Sequence, residues 1–215
     1  MKFDKGIAQK YRQSIEDAFR TILDKGNAKH RRTARLILDS EMLVCVHPAS
    51  AVNGASGISG AISPARLNER IADERLSLID AFGEIFITIA EETIDTGFQR
   101  GCEGTFAHEN QHAFDFARTI ESFSNADINP LSIFNPNLYE MEWEAHIAAG
   151  EYMLQIDKDE YLDEGLTLMI LGRGADGKCF VDRDGIKRRL KESYGIEIGG
   201  NVGGFASDML GLRHR

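Results

Sequence analysis

The 215-residue sequence contains few cysteines and no long apolar run. Its three cysteines, Cys45, Cys102 and Cys179, lie far apart without C-x-x-C spacing, which favours reduced thiols over a disulfide framework. The N-terminal residues MKFDKGIAQKYRQS lack the apolar segment of a secretory signal. No apolar run approaches the roughly 18 to 20 residues that are needed to span a bilayer. We therefore expect a cytoplasmic protein that does not enter a membrane.

Positive charge is also scarce, since 25 Lys and Arg residues stand against 34 Asp and Glu, for a formal net charge of -9. This balance argues against a nucleic-acid-binding surface, because such surfaces need clustered cations to neutralise phosphates. Two short basic clusters are present: His30, Arg31 and Arg32 with Arg35, and Lys187, Arg188 and Arg189 with Lys191. We interpret each cluster as a solvated helix face rather than a phosphate site.

The length of the chain fits one domain with a sizeable core. We predict a single domain, with N-terminal helices in 1–40, a catalytic core in 41–160 and a C-terminal extension in 161–215. Apolar residues spaced by three or four predict helices at 4–23, 28–38, 64–81, 105–120, 138–156 and 183–194. Runs of β-forming residues predict strands at 42–46, 83–89 and 178–181. The expected fold class is α+β, mainly helical with a small sheet.

The other segments are predicted from turn chemistry and composition. Residues 49–64 are rich in Gly, Ser and Ala, and residues 122–137 in Asn, Ser, Asp and Pro, so we expect loops. Residues 157–160 are predicted to form a solvated acidic turn. The apolar run 165–171 fits either a helix or a buried strand. The glycine-rich tail, 198–215, is predicted to be irregular or to dock late as an arm.

The most informative stretch is TFAHENQHAFDFARTI, residues 105–120, because it contains an H-E-x-x-H sequence at His108–His112. On a helix, residues four apart share a face, so His108 and His112 can bind one metal ion. Glu109 then lies beside the ion and can accept a proton from water. Helical spacing divides this segment into an apolar side (Phe106, Ala113, Phe116, Ala117 and Ile120) and a polar side (His108, His112, Asp115 and Thr119).

A catalytic zinc site requires a third protein ligand, with water in the fourth position. The extended pattern with a histidine six residues after His112 is excluded, because that residue is Arg118. The next predicted helix offers glutamates instead. Its spacing places Glu140, Glu144 and Glu151 on one solvated face and Glu142 on the side of Ala145, Ala149 and Met153. Glu142 is therefore the first candidate and Glu144 the second.

These two helices together resemble the gluzincin-type zinc metallopeptidases, loosely the ImmA/IrrE-like branch. The matching residues are Thr105-Phe-Ala-His108-Glu109-x-x-His112 and Glu142-Trp-Glu-Ala-His146-Ile-Ala-Ala149, and the resemblance covers about 50 of the 215 residues. The resemblance implies a zincin-like core, zinc on His108, His112 and Glu142, and Glu109 as the general base. His146 stands where that branch commonly has Asn or Asp.

Further roles follow from the expected chemistry. Zinc and a nearby donor stabilise the negative charge that develops on the substrate carbonyl oxygen. His146 or Tyr139 is a candidate for that donor, and His146 equally fits a residue that holds a metal ligand in place. Asp115, one turn beyond His112, fits the same orienting role or a plain surface acid.

The leading hypothesis is a zinc-dependent peptidase that acts on a protein or peptide substrate. One alternative is a binding or structural protein in a larger assembly that keeps the metal site without turnover. Another is a helical domain in which the motif arose by chance, and this alternative predicts no stoichiometric zinc. The intact Glu109 favours the enzyme, because a purely structural metal site has no use for a base.

Overall fold

The computed structural model describes residues 1–97, 102–127 and 130–213. Its strands are β1 (Lys2–Phe3), β2 (Leu43–His47), β3 (Gly57–Ala61), β4 (Ile85–Ala90), β5 (Leu171–Arg173) and β6 (Cys179–Val181). Its helices are α1 (Gln9–Lys25), α2 (Ala28–Asp39), α3 (Pro64–Asp73), α4 (Leu78–Phe82), α5 (Glu91–Asp95), α6 (Glu103–Ser124), α7 (Leu138–Ile156), α8 (Asp159–Thr167), α9 (Arg183–Arg189) and α10 (Ala206–Met209). The predicted α+β class, mainly helical with a small sheet, is confirmed.

The main sheet has four strands in the order β1-β2-β4-β3. Strands β1, β2 and β4 run parallel, and β3 pairs with β4 antiparallel, with Ser59 opposite Ile87. The predicted strand 83–89 is β4, whose residues Ile85, Ile87 and Ile89 are completely buried. This burial follows from the alternation of isoleucines, which places all three on one face of the sheet.

The edge strand β3 lies inside residues 49–64, which we predicted to be a loop, so that prediction was wrong. Its sequence, Gly-Ile-Ser-Gly-Ala, carries little β-propensity, and pairing with β4 holds it in the sheet. A short 3-10 turn at Ala49–Val52 precedes it. Tertiary context therefore overrides local composition in this segment.

Several other boundaries differ from the predictions. The predicted helix 64–81 is two helices, α3 and α4, and the strand β1 precedes the first helix, which begins at Gln9 rather than near residue 4. The apolar run 165–171 contains the end of α8 and the start of β5, and α8 also takes up part of the acidic stretch 157–160. The connection between β4 and α6 contains α5, and its residues 98–101 lie outside the described residues.

Helix α6 packs against α7, α1, α2, α4 and β3 and forms the centre of the main core. The side of α6 that we predicted to be polar is not exposed to solvent, because Asp115 and Thr119 are buried like the apolar residues. A helix that is buried on both sides must satisfy its polar groups internally. Thr119 does so by donating to the carbonyl of Asp115 at 2.9 Å.

The C-terminal residues dock onto the core. The amides of Leu138 and Tyr139 donate to the carbonyls of Gly204 and Val202 at 2.8 and 3.0 Å, which fixes the tail at the start of α7. Leu210 and Ala206 are fully buried. None of the helices in the described ranges combines the length and the apolar character that crossing a membrane requires.

Candidate metal centre

The candidate site lies where α6 packs against α7. Each helix contributes two side chains one turn apart, His108 and His112 from α6 and Glu142 and His146 from α7. Asn137 caps α7, with its side chain accepting from the amide of Glu140 at 3.0 Å, and so fixes where the helix starts. The packing of α6 on α7 therefore turns two local spacings into one cluster of four side chains.

The ligand atoms of His108, His112 and Glu142 converge. The two Nε2 atoms are 3.0 Å apart. The Nε2 atom of His108 is 3.4 Å from Oε2 of Glu142, and that of His112 is 3.3 Å from Oε1. Ligand atoms at about 2.0–2.2 Å from a tetrahedral zinc ion stand roughly 3.3–3.5 Å from one another. The three residues fit a zinc ion with only small adjustments.

His146 belongs to the same cluster. Its Nε2 atom is 3.8 Å from Oε2 of Glu142, and its ring centroid is 4.8 Å from that of His108. Ligand atoms of His108, Glu142 and His146 all lie within 4.8 Å of one another, a second triple that can hold a metal ion. We favour the triple with His112, because its distances are closer to those of a tetrahedral shell.

Several buried polar atoms of this cluster have no hydrogen-bond partner. They are Oε2 of Glu109, Oε2 of Glu142, Nδ1 of His112 and both ring nitrogens of His146. Unpaired buried polar atoms are costly, and native proteins rarely leave several together. A cation held by Glu142 and the imidazole Nε2 atoms would pair with the orphan Oε2 of Glu142, so the donor set fits a metal ion.

The charges of the cluster are coupled. Burial alone would lower the pKa of His112, but the carboxylate of Glu142 outweighs this effect and raises that pKa to about 9. Burial raises the pKa of Glu142, yet His112 and His108 hold it well below its usual range. The pKa of His146 is lowered by burial and by His108. The metal-free site thus favours a His112 imidazolium paired with a Glu142 carboxylate.

Glu109 lies between the cluster of four side chains and strand β3. It is buried, and this burial raises the pKa of its carboxyl, although the two histidines act in the opposite direction. A Cβ atom at Gly57 of β3 would lie 3.0 Å from Cγ of Glu109 and 3.0 Å from Cγ2 of Thr105. The glycine therefore allows the edge strand to pass close to the carboxylate.

The outer edge of β3 borders the same cleft as Glu109. Within the described residues β3 pairs only with β4. Ser56 and Ile62 bond to β4 through backbone groups, so residues 56, 58, 60 and 62 face that strand. Because hydrogen-bonding direction alternates along an antiparallel strand, the backbone groups of Gly57 and Ser59 point outward. Both residues line a cleft of about 480 Å³ that is also lined by the cluster of four side chains.

The other predicted residues lie elsewhere. Glu144, the second choice for the third ligand, is on the surface and pairs with Lys29 at 3.1 Å. Asp115 is buried, so the alternative of a surface acid was wrong. Both of its carboxylate oxygens accept from Nε2 of Gln111 at 3.0 Å rather than from a histidine. Tyr139 packs against Trp143, away from the cleft lining.

The structure adds residues that the sequence pattern did not single out. The cleft is also lined by Leu168, Ile170, Arg189, Tyr194 and Met209, all from the predicted C-terminal extension. No local spacing links these positions to the H-E-x-x-H helix. The only available signal was the basic cluster containing Arg189, which we interpreted as a solvated face.

Comparison with known proteins gives no relative for this chain: no protein-family model, no curated protein and no solved structure matches it.

Proposed function

We propose that this protein is a zinc-dependent metallopeptidase of gluzincin type, with zinc held by His108, His112 and Glu142. The observation that carries the proposal is the position of the Glu109 carboxylate, whose Oε2 atom has no hydrogen-bond partner, beside these three side chains and against β3. A chance motif on a surface helix would not bring a glutamate from another helix into this position. A buried carboxylate next to a metal centre has the location that a general base needs.

The bound ion supplies Lewis acidity, which lowers the pKa of water from 15.7 to about 7 and polarises a carbonyl group. Glu109 accepts the proton of the attacking water at its unpaired Oε2 and later delivers it to the leaving amine nitrogen. In the metal-free site burial raises the pKa of its carboxyl, which is the direction that an acid–base residue needs.

The outward backbone groups of Gly57 and Ser59 orient the substrate. An extended peptide can pair with them as an additional strand, as in other proteins that bind peptides at a sheet edge. Main-chain pairing places a peptide bond beside Glu109 regardless of the substrate side chains. This geometry favours peptide bonds as the substrate over small esters or phosphates.

The proposal is tested by metal analysis and by one substitution. Purified protein should contain about one zinc ion per chain by elemental analysis and should cleave an unfolded protein substrate. Glu109→Gln should keep the zinc and lose at least about a hundredfold in kcat, because general acid–base catalysis contributes about 10²–10⁴-fold. A protein without zinc, or a Glu109→Gln variant with full activity, would contradict the proposal.

A second candidate function is a metal-dependent structural or binding protein, and His146 is the observation in its favour. A fourth protein ligand would close the tetrahedral shell, as in structural zinc sites. Its Nε2 atom is buried without a hydrogen-bond partner and lies 3.8 Å from Oε2 of Glu142, so it is available to the ion. With Co²⁺ in place of zinc, a closed four-ligand site should lose its visible absorption pattern in His146→Ala, whereas a site with His108, His112 and Glu142 alone should keep it.

A further inference from the structure

One basic cluster of the sequence is divided by the structure into surface cations and one cleft residue. Its members are Lys187, Arg188, Arg189 and Lys191. Three of its members pair with surface carboxylates: Lys187 with Asp184 at 3.0 Å, Arg188 with Asp182 at 3.7 Å, and Lys191 with Glu197 at 2.7 Å. These three pairs are exposed and agree with the interpretation of a solvated helix face. Arg189 does not fit that interpretation, because it lines the cleft that contains His108, His112, Glu142 and His146.

Arg189 has no carboxylate partner among the described residues. Its Nη1 atom donates to the carbonyl of Leu168 at 3.4 Å, and its Nε atom is buried without a partner. A guanidinium group has five N–H donors in a planar fork, and the contacts with the Leu168 carbonyl and the Tyr194 side chain use only part of them. In a chain with a net charge of -9, a cleft guanidinium without a carboxylate partner differs from the surrounding charge pattern.

The residues after α9 bring an aromatic side chain next to Arg189. Leu190–Tyr194 forms a π-helical turn, a rare conformation that occurs frequently at functional sites, and Gly195 ends it with φ 67°. The Tyr194 ring lies edge-on to His146, with centroids 5.7 Å apart. Cζ of Arg189 is 6.0 Å from the centroid of Tyr194. A series of contacts thus joins Glu142, His146, Tyr194 and Arg189.

We propose that Arg189, with Tyr194 beside it, forms a subsite for a carboxylate of the substrate. The preferred peptides would carry that carboxylate near the scissile bond, as an acidic side chain or as the C-terminus. This inference rests on the proposed peptidase function and adds the substrate class.

The chemistry of the subsite favours a carboxylate over other groups. The guanidinium fork matches the two oxygens of a carboxylate and forms charge-assisted, bidentate hydrogen bonds. The Tyr194 hydroxyl, like any ordinary phenol, is protonated at neutral pH and adds a donor beside the fork. Because the net charge of the chain is -9, a cation in the cleft is what favours an anionic substrate there.

The test uses matched peptides and the full-length, zinc-loaded protein. One pair of peptides differs only in a C-terminal carboxylate or amide, and a second pair only in an internal Glu or Gln. We expect at least a tenfold higher kcat/KM for the carboxylate member of one pair. The pair that responds identifies the source of the carboxylate. Arg189→Gln should remove the preference by lowering kcat/KM for that member alone, while the amide or Gln member keeps its rate.

Arg188→Gln is the matched control, since Arg188 is the neighbouring residue and pairs with Asp182 on the surface. It should leave the preference unchanged. Arg189→Lys should restore part of it, because lysine keeps the charge but not the fork. If Arg189→Gln does not fold, Tyr194→Phe provides a second variant, and the comparison within each wild-type pair still decides the question.

Equal cleavage of both members of both pairs by the wild-type protein would overturn the subsite. So would an equal loss for both members in Arg189→Gln, which would indicate a structural role. Binding of the same peptides to Glu109→Gln, measured by calorimetry, separates this inference from the proposed function. Carboxylate-dependent binding that needs Arg189, without zinc or cleavage, would support the subsite and refute the peptidase.

Discussion

The helix pair α6–α7 and the C-terminal residues 168–209 line the same cleft but differ in how their side chains are specified. On the helices, the chemistry repeats at a spacing of four residues, as in His108 and His112 or Glu142 and His146. In the C-terminal part, Arg189, Tyr194 and Met209 come from separate turns without any common spacing. The comparison shows that candidate metal ligands can be encoded locally, whereas the walls of the cleft around them depend on long-range packing.

The largest expected effect comes from the helix pair. Glu142→Ala should lower zinc affinity by more than about a hundredfold, since it removes one of three ligands, and changes outside the ligand set already cost about 10- to 100-fold. Glu144→Ala, two residues away on the same helix, is the control. Its carboxylate pairs with Lys29 on the surface, so zinc binding should be unchanged and the free energy of unfolding should move by about 0.5 kcal/mol or less. Zinc titration of the two metal-free variants measures their affinities, and denaturant unfolding of Glu144→Ala measures its free energy of unfolding.

If Glu144→Ala loses zinc and Glu142→Ala retains it, the assignment of the third ligand is wrong. Retention of zinc by both variants would instead indicate that His108, His112 and His146 hold the ion without a glutamate.

A smaller effect is expected from the edge strand. Gly57→Ala places a Cβ atom 3.0 Å from Cγ of Glu109, so either the strand or the carboxylate must move. Misplacement by about 1 Å can cost about a hundredfold, so we expect a ten- to hundredfold loss in kcat/KM with zinc content unchanged. Kinetics with one peptide substrate and elemental analysis give both values.

Gly60→Ala is the control on the same strand. Its added Cβ would meet the ring of Phe86 at 3.3 Å instead of Glu109, so any cost should appear in stability rather than in activity. Full activity of Gly57→Ala would show that the close approach of β3 to Glu109 has no role in catalysis.

The smallest effect concerns protons and follows from the coupled charges on the helix pair. Because the pKa of His112 is raised to about 9, the metal-free protein holds His112 protonated at pH 7. Zinc binds only the neutral ring, so binding at pH 7 should release one proton from His112 in addition to the fraction that a zinc-bound water loses. The His112 proton should disappear from the count as the pH rises above about 9. Glu142 contributes no proton, since its pKa is lowered. Calorimetry in buffers of different ionisation enthalpy counts the protons, and no release at pH 7 would refute the His112–Glu142 ion pair.

The sequence predicted part of this arrangement well. The strand 83–89 was recognisable because Ile85, Ile87 and Ile89 repeat with the two-residue period of a strand. The helices 105–120 and 138–156 were recognisable because their apolar residues repeat every three or four positions. The same periodicity placed Glu142 and Glu144 on different faces. Strand β3 was missed, because a run of small residues has no such period and depends on β4 for its structure.

By itself, then, the sequence determined the four-residue spacings of His108, His112, Glu142 and His146, since helix geometry is local and each pair lies within one helix. Only the tertiary structure decided that the two pairs meet, that Gly57 brings a sheet edge against Glu109, and that Arg189 turns into the cleft while Arg188 stays on the surface. The physical reason is that these contacts join residues far apart in the chain. Their geometry depends on how helices and strands pack, which no local pattern encodes.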